Sequence, residues 1–121
     1  MSKLRASTQY INVMVKVRPG DQPGKYKVQT APEMPVVTDE DTVINYQIYD
    51  SGDQNIVFTG MTVSPADNDQ LSQASLSVSR KLLTFSDANT SPATFNITLQ
   101  FQDEDGVSFM HDPQVQNEPQ R

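Results

Sequence analysis

Four residues near the end of the chain have types and spacing that can do chemistry. They are His111, Asp112, Pro113 and, six residues after Asp112, Glu118, itself followed by Pro119. An Asp-Pro bond is the most acid-labile peptide link in ordinary proteins, because the aspartate carboxyl can attack its own main-chain carbonyl. The proline assists: its tertiary amide nitrogen is a relatively basic leaving group, and its ring holds the preceding residue extended. A fold that fixes the Asp112 carboxyl near attack geometry supplies several kcal/mol through orientation alone. A neighbouring acid can protonate the departing nitrogen, a role Glu118 could take if the tail folds back. His111 is the single histidine, and an imidazole with an ordinary pKa of about 6.5 can shuttle a proton beside such a bond. The bland alternatives are an X-Pro pair that merely ends a strand and a rim histidine bonded to a backbone carbonyl.

The elements that must position these groups read as strands. Period-2 alternation puts Ile11, Val13, Val15 and Val17 on one face of "YINVMVKVR", and Ile44, Tyr46 and Ile48 on one face of "TVINYQIYD". The clearest strand is "ATFNITLQF", with Phe95, Ile97, Leu99 and Phe101 inward. "QDEDG" then turns the chain, Gly106 suiting a left-handed position. "VSFMHDP" returns with Val107 and Phe109 inward. Gly60 marks a kink or bulge in "IVFTGMTVS". Seven or eight short strands with turn signals between them predict an all-β fold, a single antiparallel β-sandwich of immunoglobulin-like architecture. Matching the buried faces pairs Phe101 with Val107 and Leu99 with Phe109, which sets Ile97 opposite His111 and Asn96 opposite Asp112. His111 is then expected to point inward near the rim, and Asn96 to donate a cross-strand hydrogen bond to Asp112. Residues 113–121 hold one apolar side chain and two prolines, and by themselves should fray.

Composition narrows the function classes. The 121 residues suffice for one domain, and 36% apolar with only 20% charged residues suits sheets with one wet face. With no cysteine there is no disulfide and no thiolate metal site. One histidine makes a metal centre unexpected, and neither "DEDG" nor "DNDQ" has the spacing of a calcium loop. No cofactor fingerprint, nucleophile elbow or phosphate loop is present. Net charge is −6, with Lys3, Arg5, Lys16, Arg18, Lys25 and Lys27 in residues 1–31 set against Asp21 alone, while residues 32–79 carry acids and no Lys or Arg. The basic segment alternates along a strand and reads as a solvated face rather than a nucleic-acid site. The charge asymmetry suits contact between copies of the chain. No apolar run approaches a membrane span, and no apolar stretch follows "MSKLRASTQY", so the cytoplasm is the expected compartment. Four tyrosines without tryptophan give a carbohydrate-binding platform little support.

The composite "HDPQVQNEP" after "GVSFM" resembles the bacterial DP-EP family, whose name reflects Asp-Pro and Glu-Pro pairs near the C-terminus; here these are Asp112-Pro113 and Glu118-Pro119. The family resembles this chain in length, lack of cysteine and β-sandwich plan, while the motif resemblance is confined to residues 106–119. The resemblance implies a self-cleaving, self-assembling endopeptidase of aspartic type. It implies scission at Asp112-Pro113, a released tail that stays docked, an aspartate that activates water, and capture of the freed aspartyl carboxyl by a lysine. This chain departs from that pattern in having no lysine after Lys81. Lys81 or Lys16 would have to serve from another strand, and otherwise hydrolysis ends the reaction.

The expectation is therefore a β-sandwich of residues 1–112 that hydrolyses its own Asp112-Pro113 bond, with a cleavable tail at 113–121. The site residues are Asp112, Pro113, His111, Asn96 and Glu118, with no cofactor and no metal. The competing expectation is a non-catalytic module whose tail adds a strand to a neighbouring copy. In both, the partner is the chain itself, not nucleic acid, membrane or a small molecule.

Overall fold

The structure is a computed structural model and describes residues 8–120. Ten strands and no helix are found among them: β1 (Tyr10–Pro19), β2 (Tyr26–Ala31), β3 (Val36–Val37), β4 (Thr42–Asp50), β5 (Val57–Ser64), β6 (Ser75–Leu76), β7 (Leu82–Asp87), β8 (Ala93–Gln102), β9 (Ser108–His111) and β10 (Gln114–Asn117). They form two five-stranded sheets. The first has the order β2-β1-β4-β7-β6; the second has the order β3-β10-β8-β5, with β9 also paired to β8. The all-β sandwich is as the alternation predicts. Val13, Val15, Val17, Ile44, Tyr46, Leu83 and Phe85 from the first sheet meet Phe58, Phe95, Ile97, Leu99, Phe101 and Val115 from the second, all essentially inaccessible to water. Burial of this set is the main force holding the sheets together.

The sheets are mixed rather than wholly antiparallel. β1 runs parallel to β4, and β10 parallel to β3. Period-2 patterning reports which face is buried and carries nothing about strand direction, so these two pairings were invisible to it. The strand count also exceeds the expected seven or eight, because β3 and β6 are only two residues long and because the tail contributes a strand of its own.

β10 is the largest departure from expectation. Residues 114–117 do not fray; they lie inside the second sheet, antiparallel to β8 on one side and parallel to β3 on the other. Val115 is fully buried in the core and Asn117 is 1% exposed, while Gln114 and Gln116 face outward. The single apolar residue of the tail is its anchor.

The bulge expected at Gly60 is present, between Phe58 and Gly60 in β5. A Cβ there would come within 2.7 Å of Gln100 Oε1, the end of a flexible side chain that would swing aside, so the glycine marks the bulge without being what holds β5 and β8 together.

Candidate functional site

β8 positions the Asp-Pro pair. β9 pairs with its later half, Leu99 facing His111 and Gln102 facing Ser108; β10 pairs with its earlier half, Asn96 facing Gln114 and Ala93 facing Asn117. The offset is the same in both halves. Residues 108–117 are therefore one continuous strand, with Asp112 and Pro113 in the middle of it opposite Thr98 and Ile97. Pairing lapses at the junction because Pro113 has no N–H to give. Its carbonyl still takes part: Ile97 N–H donates to Pro113 O at 2.8 Å.

This register is two residues away from the one expected from face matching, which set Ile97 opposite His111 and Asn96 opposite Asp112. The cause lies in the turn. Asp103 N–H donates to Val107 O and Gly106 N–H to Asp103 O, with Gly106 at φ 84°. Asp103 Oδ1 accepts from the backbone of Asp105 and Val107, and Tyr26 Oη donates to Oδ2 at 2.6 Å. The side chain of Asp103 thus organises the loop, and Val107, expected inward, is left 38% exposed. Phe109 takes the inner place, stacked between Tyr26 and Phe101 at centroid distances of 4.4 and 5.0 Å. A slip of two keeps the side chains of β9 and of Asp112 on their predicted faces, and only Val107, taken into the turn, leaves its own. His111 accordingly lies on the inner side, half-buried, and Asp112 on the outer side, exposed.

Changing the partners changes the chemistry. Asp112 Oδ1 accepts a hydrogen bond from Thr98 Oγ1 at 2.9 Å. Thr98 and Asp112 form a non-hydrogen-bonded pair of the antiparallel ladder, where side chains approach most closely. Asn96, expected to hold Asp112, instead accepts from Gln114 Nε2 at 2.9 Å. Glu118 is not brought to Asp112 either. β10 carries it roughly 20 Å along the sheet at about 3.3 Å per residue. There its N–H donates to Val37 O and its Oε1 accepts from Gln116 Nε2 at 2.7 Å.

Asp112 and Pro113 open onto a cleft of about 600 Å³ between the β2 edge of the first sheet and residues 111–114 of the second. Its wall includes His111, Lys16, Glu33, Met34 and Tyr49. Burial holds the His111 imidazole below its ordinary pKa, with the Asp112 carboxylate pulling weakly the other way, so the ring is neutral at pH 7. Lys16, one of the two amines considered from sequence, stands in this cleft. The other, Lys81, is engaged elsewhere: its Nζ donates to Ile56 O and to Asn55 Oδ1. Glu33 enters from the β2–β3 connection, where sequence had no reason to place it. Thr98 could have been found: it is the outward residue of "NIT" that faces Asp112 once the hairpin is closed by Asp103. Among the described residues no group of His, Cys, Asp and Glu is arranged to hold a metal ion, and no helix is long and apolar enough to cross a membrane.

The DP-EP family model matches residues 9–119, nearly the whole chain. The chain belongs to the DP-EP family. No curated protein matches it. In this DP-EP chain the Asp-Pro pair interrupts a strand at the cleft, and the Glu-Pro pair lies just beyond β10. The two motifs of the DP-EP name therefore stand at opposite ends of one buried strand, too far apart to act together within one copy of the chain.

Proposed function

We propose that this DP-EP chain hydrolyses its own Asp112-Pro113 bond. The observation that carries the proposal is the placement of an exposed aspartate, its carboxylate held by the Thr98 hydroxyl, in the middle of a strand that is paired on both sides of the scissile link. An Asp112 carboxylate oxygen attacks the Asp112 carbonyl carbon, closing a five-membered cyclic anhydride. The C–N bond breaks, and the Pro113 nitrogen leaves as it takes a proton. Water then opens the anhydride, leaving two carboxyl groups on Asp112 and a free secondary amine on Pro113. The half-buried, neutral His111 is the neighbouring base for that water. Glu33 is the acid that shares the cleft, a better-placed proton source than Glu118. Thr98 is a positioning residue, limiting the carboxylate to orientations near its own carbonyl.

Asp112 is exposed and Pro113 buried, so water reaches the intermediate from the Asp112 side, and hydrolysis is the proposed outcome. Lys16 is the amine that would compete. The fragments stay together, because the new end at Pro113 begins a strand anchored by Val115 and flanked by β3 and β8. Intact-mass measurement on fresh and aged protein at neutral pH tests the proposal. Fragments 1–112 and 113–121 are expected, and Asp112→Ala abolishes them. A wild-type chain that stays whole for weeks overturns the reading.

Assembly through the tail remains the second reading. In this reading the tail of another copy supplies the Val115 and Asn117 that are buried beside β8. Removal of residues 113–121 that leaves the size in solution unchanged would count against it.

A further inference from the structure

Behind β10, on the far side from the cleft, is a buried polar cluster that the proposed reaction does not use. Asp87, at the end of β7, has no solvent exposure; Asn89 has none, Asn117 1% and Gln70 7%. Asn117 Nδ2 donates to Asp87 Oδ1 at 3.0 Å and, more weakly, to Gln70 Oε1 at 3.5 Å. Asn89 N–H also donates to Asp87 Oδ1 at 3.0 Å, and Asn89 Nδ2 donates to Val37 O and Asp39 O. Three buried oxygens there have no donor: Asp87 Oδ2, Asn89 Oδ1 and Asn117 Oδ1.

Two of these three belong together. Asp87 and Asn117 already share one hydrogen bond, and the unused atom on each is an oxygen. A carboxylate and a carboxamide side by side can make only that one bond, and the remaining oxygens then repel. A carboxylic acid and a carboxamide make two, in a closed ring: N–H to O on one side and O–H to O on the other. The surroundings favour the neutral form as well. Among the described residues, the titratable groups on the segments packed against Asp87 are Asp39, Glu40, Asp41, Asp69 and Glu118, with Tyr46, Tyr49 and Asp50 further along β4, and none is a Lys, Arg or His. An ionised Asp87 would be a charge out of water with no counter-charge among the described residues, a costly arrangement for a fold to keep.

We propose that Asp87 is held as the neutral acid in the folded protein, its Oδ2–H donated to Asn117 Oδ1, and that this paired acid and amide lock the C-terminal strand into its groove. The proton is thus a structural ligand. Burial also raises the carboxyl's affinity for it, opposed in smaller part by the bonds from Asn117 and Asn89. The sign follows. A carboxyl whose folded pKa lies above its unfolded value contributes stability that is complete below the ordinary carboxylate range and is lost as pH rises through the folded pKa. Alkali therefore loosens β10. The lock is independent of scission at Asp112, and holds the strand before and after any cut.

The test compares the full chain with Asp87→Asn, whose amide reproduces both bonds of the ring without a titrating proton. Melting midpoints are measured from about pH 5 to about pH 9, and amide exchange of Val115 and Asn117 is followed over the same range. The wild type is expected to lose several degrees relative to D87N as pH rises, with faster exchange in β10 than D87N shows. An infrared band of a protonated carboxyl should be present in the wild type at neutral pH and missing from D87N. Parallel pH profiles in the two proteins overturn the proposal, as does absence of that band. A wild-type midpoint that climbs with added Ca²⁺, and does not in D87N, overturns it in favour of a bound cation.

Discussion

Thr98 and Asp112 face each other across an antiparallel ladder, and the threonine hydroxyl donates to the aspartate carboxylate at 2.9 Å. That contact exists because the register of the hairpin is two residues away from the one face matching suggests. It separates a positioned carboxylate from one that rotates freely. Thr98→Val keeps the β-branched shape and removes only the donor. One hydrogen bond is worth about 1 kcal/mol, so self-cleavage is expected to slow roughly fivefold, read as the rate of appearance of fragment 1–112 by intact mass. A conservative Asn96→Ser change should leave that rate unaltered, since Asn96 bonds to Gln114.

Retention of the tail rests on Val115, which is fully buried. Val115→Ala removes two methyl groups from a packed site and is expected to cost about 2 kcal/mol of stability. Chemical denaturation of the uncut chain measures that cost. In cleaved protein, fragment 113–121 should co-elute with the body on gel filtration without denaturant and separate in guanidinium; V115A should shed it under native conditions.

Lys16 and Lys81 are told apart by mass. Simple hydrolysis adds one water across the two fragments, whereas capture by an amine leaves the body one water lighter than the hydrolysed form. The expected body fragment carries the full water. Should a minor lighter species accompany it, Lys16→Arg removes that species and Lys81→Arg does not, because only Lys16 lines the Asp112 cleft.

The turn residue Asp103 gives a pH signature. Its hydrogen bond from Tyr26, supported by backbone bonds from Val107 and Asp105, holds the carboxyl below the ordinary carboxylate range. The same bond, with burial and nearby acids, pushes the Tyr26 phenol up to about 12 from 10.0. The depressed Asp103 contributes stability present above its unfolded pKa and lost as pH falls through the folded one. The raised Tyr26 contributes stability present below 10.0 and lost between there and about 12. Tyr26→Phe should raise the pKa of Asp103, followed by carboxyl NMR, and remove one late-titrating phenol from the ultraviolet titration. Tyr46, buried in the core, remains as another late one.

His111 titrates below its ordinary value because burial disfavours the imidazolium. A depressed histidine destabilises the fold as pH falls, since the unfolded chain takes up its proton first. The ring protons of the single histidine report this directly by NMR, with a midpoint below 6.5 expected. Asp112→Asn, which removes the weak attraction of the carboxylate, should move it lower still.

Strand positions and buried faces were legible because alternation over "INVMVKV" and "TFNITLQF" records one wet and one dry side. Chain direction was not, since β1 beside β4 and β10 beside β3 have the same pattern whether parallel or antiparallel. The hairpin was read on the correct faces and in the wrong register, because Asp103 spends its side chain inside the turn where composition suggested a solvated acid. The tail was the least legible part. "QVQN" is polar in every residue but one, and the burial of Asn117 makes sense only beside Asp87, 30 residues earlier. Of the candidate site, Asp112, Pro113 and His111 are neighbours in the sequence itself, and the fold sets all three on one cleft. Thr98, Glu33 and Lys16 join them only through the folded geometry.

The ladder has one missing rung, and its position matters. Ile97 and Pro113 are partners that would ordinarily exchange two hydrogen bonds, yet only the one from Ile97 N–H is made. The Ile97 carbonyl points at a nitrogen with no hydrogen. Breaking the link to Asp112 would turn that nitrogen into a secondary ammonium with two hydrogens and a positive charge, aimed at the waiting carbonyl. The severed form of this sheet would then be zipped more completely than the intact one, which gives scission a thermodynamic direction and the reverse ligation an added barrier.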